Sequence, residues 1–354
     1  MRAVTVMPGK AGTLASSDVA EPGTEDGAVL VDVVAVGVCG TDAEIVGGEY
    51  GEAPPGRDLL VLGHESLGRV REAPPGCGLE AGDLVVCMVR RPDPVPCENC
   101  AAGQWDMCRN GRYTEHGIKG LDGFMRESYR DEPGRLVKVD PRLGPAGVLL
   151  EPASIVAKAW ALVDHAARRS AYRPRTALVT GAGPVGLLAA LLGVQRGLEV
   201  HVLDQVTDGP KPELVRDLGA TYHAQPLDRL DVVPDVVVEC TGVAEVVLAA
   251  VSRNAVDGIT CLTGVSRPGR RRSVDLGGLN RELVLENDVV LGSVNANLAH
   301  YRDAAAALAG ADRGWLDRIV TRRVPMDRYR EAFDRRPGDV KVVLDVAPAR
   351  AGRP

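Results

Sequence analysis

Residues 175–197, RTALVTGAGPVGLLAALLGVQRG, decide the fold of one half of this 354-residue chain. An apolar strand-like run ends at Gly181, and Gly181, Gly183 and Gly186 form the pattern G-x-G-x-x-G at the start of an apolar helix-like run. Glycine at these positions permits a tight turn, close approach of a pyrophosphate and close packing of the helix on the strand. The stretch therefore predicts a dinucleotide site, where the start of the helix attracts the phosphates. The alternative is an ordinary glycine-rich turn.

The sequence on either side of this stretch divides into two kinds of pattern. From residue 154 to 308, apolar strand-like runs alternate with helix-like runs, which is typical of a doubly wound parallel sheet, the Rossmann fold. Residues 1–153 contain short strand-like runs separated by Gly and Pro turns, which indicates an irregular antiparallel β domain. We expect residues 309–354 to fold back onto that first domain. The predicted fold class is therefore α/β, with two domains.

The residues around the predicted dinucleotide site favour one cofactor. Pro184 and Val185 complete the glycine pattern, and Asp204 ends the following strand-like run. A carboxylate at this point accepts hydrogen bonds from the ribose hydroxyls and repels a 2′-phosphate, and Gln205 after it offers no cation. We therefore expect NAD. The alternative is NADP, with Lys211 reaching the 2′-phosphate.

Composition and charge exclude several classes of function. The net charge is −6 and aromatic residues make up 3% of the chain, which argues against nucleic-acid and anionic-membrane partners. No run has the roughly 18 uncharged apolar residues of a membrane helix, and the first residues contain no apolar secretory segment. We therefore expect a cytoplasmic protein with reduced cysteines. The three arginines at 270–272 are interpreted as a solvated loop, with a phosphate contact as the alternative.

Four residues in three separate segments have the side chains of a catalytic zinc site. They are Cys39, His64 with Glu65, and Glu151. A catalytic zinc takes three protein ligands of the Cys, His and carboxylate kinds and keeps one position open for substrate or water. Each segment alone is weak evidence, since a lone His is more often structural and a Glu before Pro often starts a helix. Together they predict a catalytic zinc site, with the absence of any metal as the alternative.

At these residues the chain resembles the zinc-dependent medium-chain dehydrogenases. The likeness is carried by GVCGTD at 37–42, LVLGHESLGRV at 60–70 and the glycine pattern. LLEPASIVAKA at 149–159 and LENDVVLGSVNANLAHY at 285–301 are similar to the glucose 1-dehydrogenases within that superfamily. The resemblance spans nearly the whole chain. It implies a GroES-like irregular β domain that holds the catalytic zinc, and a Rossmann domain for the cofactor.

The resemblance implies an enzyme that oxidises an aldose at C1, D-glucose or a close epimer, to the aldonolactone. The hydride passes to NAD⁺ or NADP⁺. The alternative is a polyol or alcohol dehydrogenase of the same superfamily. A dinucleotide-binding sensor and a zinc-free reductase on the same scaffold are disfavoured, because neither needs the Cys, His and Glu set. By analogy with relatives we expect a homo-oligomer, either a dimer or a tetramer.

The resemblance also assigns roles to individual residues. It implies that Cys39 and His64 bind zinc, and that Glu65 and Glu151 compete for the third protein position, an alternative that the sequence leaves open. Thr41 matches the residue whose hydroxyl carries the proton away from the substrate. The other residues that we expect at the cofactor are Thr241, Gly264, Val265 and Asn295.

Sugar recognition is expected from polar side chains, since unpaired buried polar groups are costly. Glu115 matches a glutamate that contacts the sugar in glucose dehydrogenases, and Asn295 matches an asparagine near both nicotinamide and substrate. The alternatives are a solvated loop acid for Glu115 and a strand-end cap for Asn295. Val89 stands where some relatives have asparagine, a departure that bears on sugar preference. The predicted substrate residues are Thr41, Glu115, Glu151 and Asn295.

A second metal site is expected in the segment from Arg90 to Gly123, which is rich in Pro, Cys and charge. Cys97, Cys100 and Cys108 resemble the structural zinc lobe of the superfamily, in which four thiolates are usual. Pro94 stands in place of the earliest cysteine. The alternative is a metal-free loop with three reduced thiols. Candidates for the fourth ligand are Asp93, preferred by proximity, Glu115 and His116.

Overall fold

The structure is a computed structural model that describes residues 1–346 except 268, 270 and 272. Two of the three arginines in the run at 270–272, and the end of the predicted C-terminal segment from 347 onward, lie outside the described residues. The interpretation of that run as a solvated loop, with a phosphate contact as the alternative, therefore stays a prediction.

Two compact units make up the described chain. The first comprises 1–154 and 295–346, and the second comprises 155–294. The chain thus returns to the first unit at Asn295, whereas the sequence placed residues up to 308 with the Rossmann domain. The residues after Asn295 belong to the first unit because they make buried contacts within it. Asn297 Nδ2 donates to Asp106 Oδ1 (2.9 Å), and the backbone N–H of Val89 donates to the hydroxyl of Tyr301 (3.4 Å).

The strands form where valine and other β-branched residues are concentrated, since such side chains fit a pleated, half-buried surface. In chain order they are β1 (Arg2–Val6), β2 (Ala15–Asp18), β3 (Val29–Val38), β4 (Leu60–Val61), β5 (Glu65–Glu72), β6 (Leu84–Cys87), β7 (Arg90–Arg91), β8 (Thr114–His116), β9 (Gly120–Leu121), β10 (Ser128–Asp131), β11 (Leu136–Lys138), β12 (Thr176–Thr180), β13 (Glu199–Leu203), β14 (Thr221–His223), β15 (Val236–Glu239), β16 (Ile259–Leu262), β17 (Val289–Gly292), β18 (Val320–Pro325) and β19 (Lys341–Asp345).

The helices are mostly short. In chain order they are α1 (Gly40–Val46), α2 (Glu98–Ala101), α3 (Leu150–Ala167), α4 (Pro184–Gln195), α5 (Pro210–Asp217), α6 (Ala244–Val251), α7 (Leu276–Leu285), α8 (Leu298–Ala309) and α9 (Arg313–Ile319). The 3₁₀ segments lie mostly between strands, and a longer one, Pro141–Leu149, leads into α3. Together this segment and α3 are long and apolar enough to span a membrane, but 83% of the apolar window is buried in the protein. A buried core helix meets the same criteria.

The first unit is built around an irregular, mostly antiparallel sheet with the strand order β11-β6-β5-β3-β19-β18, and β10 also pairs with β3. The side chains of β3 alternate little between buried and exposed positions, and most of the strand is buried, because it pairs with β5, β10 and β19. The core of this unit includes Val31, Val36, Phe124 and Tyr129, all fully buried. The C-terminal strand β19 runs antiparallel to β3, so the end of the chain reaches the segment that carries Cys39.

The second unit contains a six-stranded sheet with the order β14-β13-β12-β15-β16-β17. Every neighbouring pair in it is parallel. This is the Rossmann order, in which β12 is the first strand and ligands bind beyond the carboxyl ends of the strands. Leu178 and Val237, on the two central strands, are fully buried. The predicted α/β fold with a doubly wound parallel sheet is confirmed.

Candidate active site

Three side chains from separate segments converge in the first unit. Cys39 directly precedes α1, His64 lies between β4 and β5, and Glu65 begins β5. Cys39 Sγ lies 3.0 Å from His64 Nε2, and the ligand atoms of all three side chains lie within 4.8 Å of one another. Thr41, in the first turn of α1, donates its backbone N–H to Cys39 Sγ (3.3 Å). A thiolate, an imidazole and a carboxylate at this spacing fit a catalytic zinc with an open fourth position.

Asp42, to which we assigned no role from the sequence, lies beside the ring of His64. Asp42 is fully buried, and its Oδ1 is 3.5 Å from His64 Nδ1. Its Oδ2 accepts a hydrogen bond from the backbone N–H of Cys39 (3.0 Å). Burial opposes protonation of His64, but Cys39 and Asp42 together raise the pKa of His64 well above its usual value. Asp42 thus orients the ring so that Nε2 faces Cys39, as outer partners of metal-binding histidines do.

Glu65 has a second partner that the sequence did not indicate. Lys341, at the start of β19, is buried and forms an ion pair with the Glu65 carboxylate. Its Nζ also donates to the backbone oxygen of Val38 (3.2 Å). Gly37 leaves the space for this pair, since a Cβ there would collide with the Glu65 carboxylate. The register of the sheet explains the meeting, because Gly37 of β3 pairs with Glu65 on one side and with Val343 of β19 on the other.

Glu151 is the other carboxylate that the sequence proposed as a zinc ligand. It is buried in α3 but is not one of the three residues whose ligand atoms lie within 4.8 Å of one another. Burial raises the pKa of Glu151 to about 8; His64 opposes this rise and Glu65 adds to it. A carboxyl with such a pKa holds its proton at neutral pH unless a cation lies close to it. The structure therefore groups Glu65, and not Glu151, with Cys39 and His64.

Two predicted sugar residues meet within the first unit. Asn295 Nδ2 donates to Glu115 Oε1 (2.8 Å), and Arg90 Nε donates to the same oxygen (3.0 Å). All three side chains are buried, so the alternative of a solvated loop acid for Glu115 is wrong. Asn295 has a φ of 60°, in the left-handed region that asparagine tolerates better than most residues. The pair presents a carboxylate and an amide, which are the groups that bind sugar hydroxyls.

The second unit carries the glycine pattern at the start of α4. Gly181 has a φ of 89°, and a Cβ at Gly186 would collide with the Gly181 carbonyl. A Cβ at Gly183 would meet nothing within 4 Å, so open space lies over this residue. Gly183 supplies no side-chain cap to α4, and Pro184 and Val185 form its first turn. The free N–H groups of that turn and the space beside them fit a pyrophosphate.

Asp204, directly after β13, binds three donors. Its Oδ2 accepts from the backbone N–H of Ala182 (2.7 Å) and from Lys211 Nζ (2.9 Å), and its Oδ1 accepts from the backbone N–H of Val206 (3.0 Å). Burial opposes ionisation, but these donors lower the pKa of Asp204. An acid that suits ribose hydroxyls and a cation that suits a 2′-phosphate are therefore in contact. Gln205 is exposed beside them.

The loops after β15 and β16 are held by a buried glutamate that we did not single out from the sequence. Glu239 is fully buried, and its carboxylate accepts from the backbone N–H groups of Thr241 (2.7 Å) and Gly242 (3.2 Å). Gly264 donates its N–H to the Glu239 backbone oxygen (3.0 Å). Val265 is 76% exposed. These predicted cofactor residues thus lie at the carboxyl end of the parallel sheet, where ligands bind in this fold.

The three clustered cysteines also converge. The Sγ atoms of Cys97, Cys100 and Cys108 lie within 4.8 Å of one another, and Cys97 and Cys100 are buried. Backbone N–H groups, that of Arg109 first, lower the pKa of Cys97 to about 7. Burial raises the pKa of Cys100 to about 11. A bound cation would favour the thiolate form of all three, as in a structural zinc lobe.

Asp93, the preferred fourth ligand of this lobe, is not grouped with the cysteines among the described residues. Its Oδ2 instead accepts from Asn110 Nδ2 (2.8 Å) and Arg112 Nε (3.1 Å). The alternatives are also engaged elsewhere: Glu115 in the pair with Asn295, and His116 in a hydrogen bond from its Nδ1 to a backbone oxygen (2.6 Å). The structure therefore gives no support to any of the three predicted fourth ligands, because each is already satisfied by other partners.

The comparisons with known proteins agree with this geometry. Residues 144–346 match the family Glucose dehydrogenase C-terminus, and residues 25–141 match the family Alcohol dehydrogenase GroES-like domain. The second match, together with the parallel sheet of the second unit, confirms the predicted pairing of a GroES-like domain with a Rossmann domain.

Similarity extends over nearly the whole chain. The glucose 1-dehydrogenase of Methanocella arvoryzae is 39% identical over 359 residues, which cover 98% of this chain and 99% of that protein. The glucose 1-dehydrogenase of Thermoproteus tenax is 42% identical over 353 residues, with the same two coverages. The structure of Haloferax mediterranei glucose dehydrogenase in complex with NADP, Zn and gluconolactone aligns with a TM-score of 0.90 at 32% identity, covering 99% of this chain and 100% of that one. The chain belongs to the glucose 1-dehydrogenase family of the zinc-dependent medium-chain dehydrogenases.

Proposed function

We propose that this protein oxidises D-glucose, or a close epimer, at C1 and transfers the hydride to NAD⁺ or NADP⁺. The products are the aldonolactone, the reduced nicotinamide and one proton. Relatives named glucose 1-dehydrogenase at 39% and 42% identity support the substrate. The complex of the Haloferax enzyme with NADP, Zn and gluconolactone supports the cofactors. The observation that carries the proposal is the group of Cys39, His64 and Glu65, since it supplies the donor set of a catalytic zinc.

The residues of this group have separate tasks. Zinc held by Cys39, His64 and Glu65 would lower the pKa of the C1 hydroxyl, and a bound nicotinamide would accept the hydride. Asp42 keeps the His64 ring in its binding orientation through the Nδ1 contact (3.5 Å). We assign the first proton transfer to the hydroxyl of Thr41, because its backbone is anchored on Cys39 Sγ (3.3 Å).

Substrate selection is proposed for three buried polar side chains of the first unit, Glu115, Asn295 and Glu151. Glu115 and Asn295 are held together (2.8 Å) and are suited to accept from and donate to sugar hydroxyls. Glu151 is proposed to contact the sugar, because it is buried, its pKa responds to the charges of His64 and Glu65, and it does not lie among the clustered ligands. A site built from buried hydrogen-bonding groups discriminates against substrates that lack the matching hydroxyl.

We infer that the protein is a homo-oligomer, a dimer or a tetramer, in the cytosol. β17 ends the parallel sheet, and an edge strand presents unpaired backbone groups to which a second chain can bind. Three apolar side chains on or beside this edge, Leu285, Val290 and Val294, are 59%, 38% and 56% exposed. Light scattering that found the mass of a single chain would contradict this assembly.

A panel of sugars and polyols, with NAD⁺ and NADP⁺ in turn, tests the proposed reaction through absorbance of the reduced nicotinamide. We expect turnover on glucose or a close epimer and little on sorbitol or threonine. Cys39→Ala should abolish turnover while leaving nicotinamide binding nearly intact. The control is Cys77→Ala, because Cys77 is half-buried and belongs to none of the metal-ligand groups of the described residues. This variant should retain both turnover and nicotinamide binding. Turnover on polyols with none on any aldose would refute the proposal.

A further inference from the structure

A polar cavity of about 370 Å³ lies in the first unit. None of Cys39, His64 and Glu65 lines it, so it is separate from the proposed zinc site. Its volume is in the range of small-molecule sites. Its main feature is a concentration of guanidinium groups. The arginines that line it are Arg57, Arg91, Arg126, Arg130 and Arg135.

Most of these arginines are paired with acids, and the pairs fix the walls of the cavity. Arg57 forms an ion pair with Asp122, and Arg130 Nη2 lies 2.8 Å from Glu72 Oε2. Asp131 is the partner of two more arginines. Arg91 forms a buried ion pair with it, and Arg135 Nη1 lies 3.4 Å from its Oδ1. Guanidinium groups held in this way cannot turn easily toward a ligand, and the paired acids offset their charge.

Arg126 is the exception. Its Nε is buried without a hydrogen-bond partner, and within the described chain its guanidinium makes no ion pair. Burial lowers the pKa of Arg126, while the nearby carboxylates of Asp122 and Asp26 partly offset this effect. Arg126 as a whole is only partly buried and lines the cavity, so its guanidinium is open to a ligand there. An acceptor from such a ligand would complete hydrogen bonds that the protein does not supply to this side chain.

We propose that this cavity, the arginine pocket, binds a small oxyanion, a carboxylate or a phosphate group, with Arg126 as its main ligand. The planar fork of a guanidinium matches two oxygens of either group. The proposal does not rest on the proposed sugar oxidation.

The charge balance of the pocket limits the ligand. Four acids, Glu21, Asp26, Asp122 and Asp131, line it with the five arginines, and Glu72 outside the lining neutralises Arg130, so the charges balance. Burial lowers the pKa of His116, which also lines the pocket, to about 4, so it adds no charge at neutral pH. Balanced charges favour a ligand with a single anionic group over a polyanion. The volume leaves room for a sugar-sized body attached to that group.

Thermal unfolding of the whole enzyme tests the proposal. The probes are inorganic phosphate, gluconate and glucose 6-phosphate, each compared with chloride at the same ionic strength. A ligand that binds only the folded protein raises Tm, and the stabilisation grows with the logarithm of one plus the ratio of its concentration to Kd. We expect at least one probe to raise Tm beyond chloride. A rise of Tm with inorganic phosphate only would identify phosphate as the bound group. A rise with gluconate only would identify a carboxylate as the bound group.

The variant Arg126→Gln separates a binding role from a structural one. It should raise the apparent Kd of the probe that stabilises the natural protein at least about tenfold, since charged hydrogen bonds are lost. Its Tm in chloride should change little, because within the described chain Arg126 makes no ion pair whose loss would destabilise the fold. Arg142→Gln is the control: Arg142 is exposed, is paired with Asp140 (2.6 Å) and should leave the response unchanged.

Three results would overturn the proposal. The first is no rise of Tm beyond chloride with any of the probes. The second is an undiminished response in Arg126→Gln, which would place the anion elsewhere, for example at the sugar site. The third is a Tm of Arg126→Gln that is lower by the same amount in every buffer, which would make Arg126 a structural residue only.

Discussion

Lys341 places its ammonium group against the carboxylate of Glu65, and both side chains are buried. The contact joins the C-terminal strand β19 to the start of β5, beside Cys39 and His64. Burial opposes the charge on Lys341, but Glu65, Cys39 and Asp42 together outweigh this effect and raise the pKa of Lys341. In the protein without zinc, Lys341 is therefore the counter-charge of a proposed zinc ligand. Zinc would supply a second positive charge to the same carboxylate.

Lys341→Met should destabilise the zinc-free protein more than the zinc-loaded one. Removing one partner of a buried ion pair leaves an uncompensated charge and costs on the order of 3 kcal/mol. Zinc on Glu65 would replace the lost positive charge and reduce the loss. Tm measured in chelator and in saturating zinc, for the variant and the natural protein, checks this expectation.

The matched control for Lys341→Met is Lys138→Met, which removes an exposed lysine paired with Asp83 (2.8 Å). Exposed pairs contribute little, so this variant should change Tm slightly and equally under both conditions. If Lys341→Met lowered Tm equally with and without zinc, Glu65 would not be a zinc ligand and Glu151 would take its place as the candidate.

Glu115→Gln should raise KM for the sugar and leave KM for the nicotinamide unchanged. The carboxylate accepts from Asn295 and Arg90 and is proposed to bind sugar hydroxyls. An amide keeps the shape but replaces one acceptor with a donor, which costs roughly tenfold to a hundredfold in kcat/KM at a site with charged hydrogen bonds. Steady-state kinetics with each substrate varied in turn checks this. An equal loss for both substrates would indicate a general disturbance of the fold.

Lys211→Ala should impair the use of NADP⁺ more than that of NAD⁺. Lys211 Nζ donates a hydrogen bond to Asp204 Oδ2 (2.9 Å), and it is the cation available for a 2′-phosphate. Loss of a charged hydrogen bond predicts about a tenfold higher KM for NADP⁺. Arg216→Ala, an exposed change later in α5, serves as the control. Equal effects on both cofactors would mean that Lys211 acts only through Asp204.

His116 should make stability depend on pH in the acid range. Its Nε2 is 2.7 Å from Arg91 Nη2, and its Nδ1 is 2.6 Å from the Asp122 backbone oxygen, which together suit the neutral ring. Burial, aided by Arg91, lowers its pKa from 6.5 to about 4. The unfolded chain therefore binds a proton first as pH falls. The stabilisation is fully present above pH 6.5 and is lost toward about pH 4, by about 2 kcal/mol between pH 6.5 and about pH 5.

Urea unfolding of the natural protein and of His116→Gln, at neutral pH and at about pH 5, measures this loss. The variant has no titrating ring, so its stability should fall less over the same interval. Zinc release and the titration of carboxylates that do not contact His116 affect both proteins alike and cancel in the comparison. Parallel pH dependences in the two proteins would show that His116 does not titrate as its surroundings indicate.

The sequence by itself determined the parts of this protein that depend on local pattern. The glycines at 181–186 predicted a strand, a turn and a helix, because only that order uses a tight turn and a close helix contact within six residues. Alternating runs after residue 154 predicted the parallel sheet for the same reason. Cys39, His64, Glu65 and Glu151 could be named as zinc candidates because three segments together supply the Cys, His and carboxylate side chains that bind that metal.

Tertiary structure alone decided which side chains face one another. Glu65 and Glu151 were equivalent in the sequence, and only the register of β3 with β5 brought Glu65 to Cys39. Lys341 and Arg126 carried no local signal, because a lysine in a strand and an arginine in a loop are common. Their partners, or the lack of one, depend on strands distant in the chain. Long-range contacts follow from the packing of the whole domain, and the spacing of residues along the chain does not encode them.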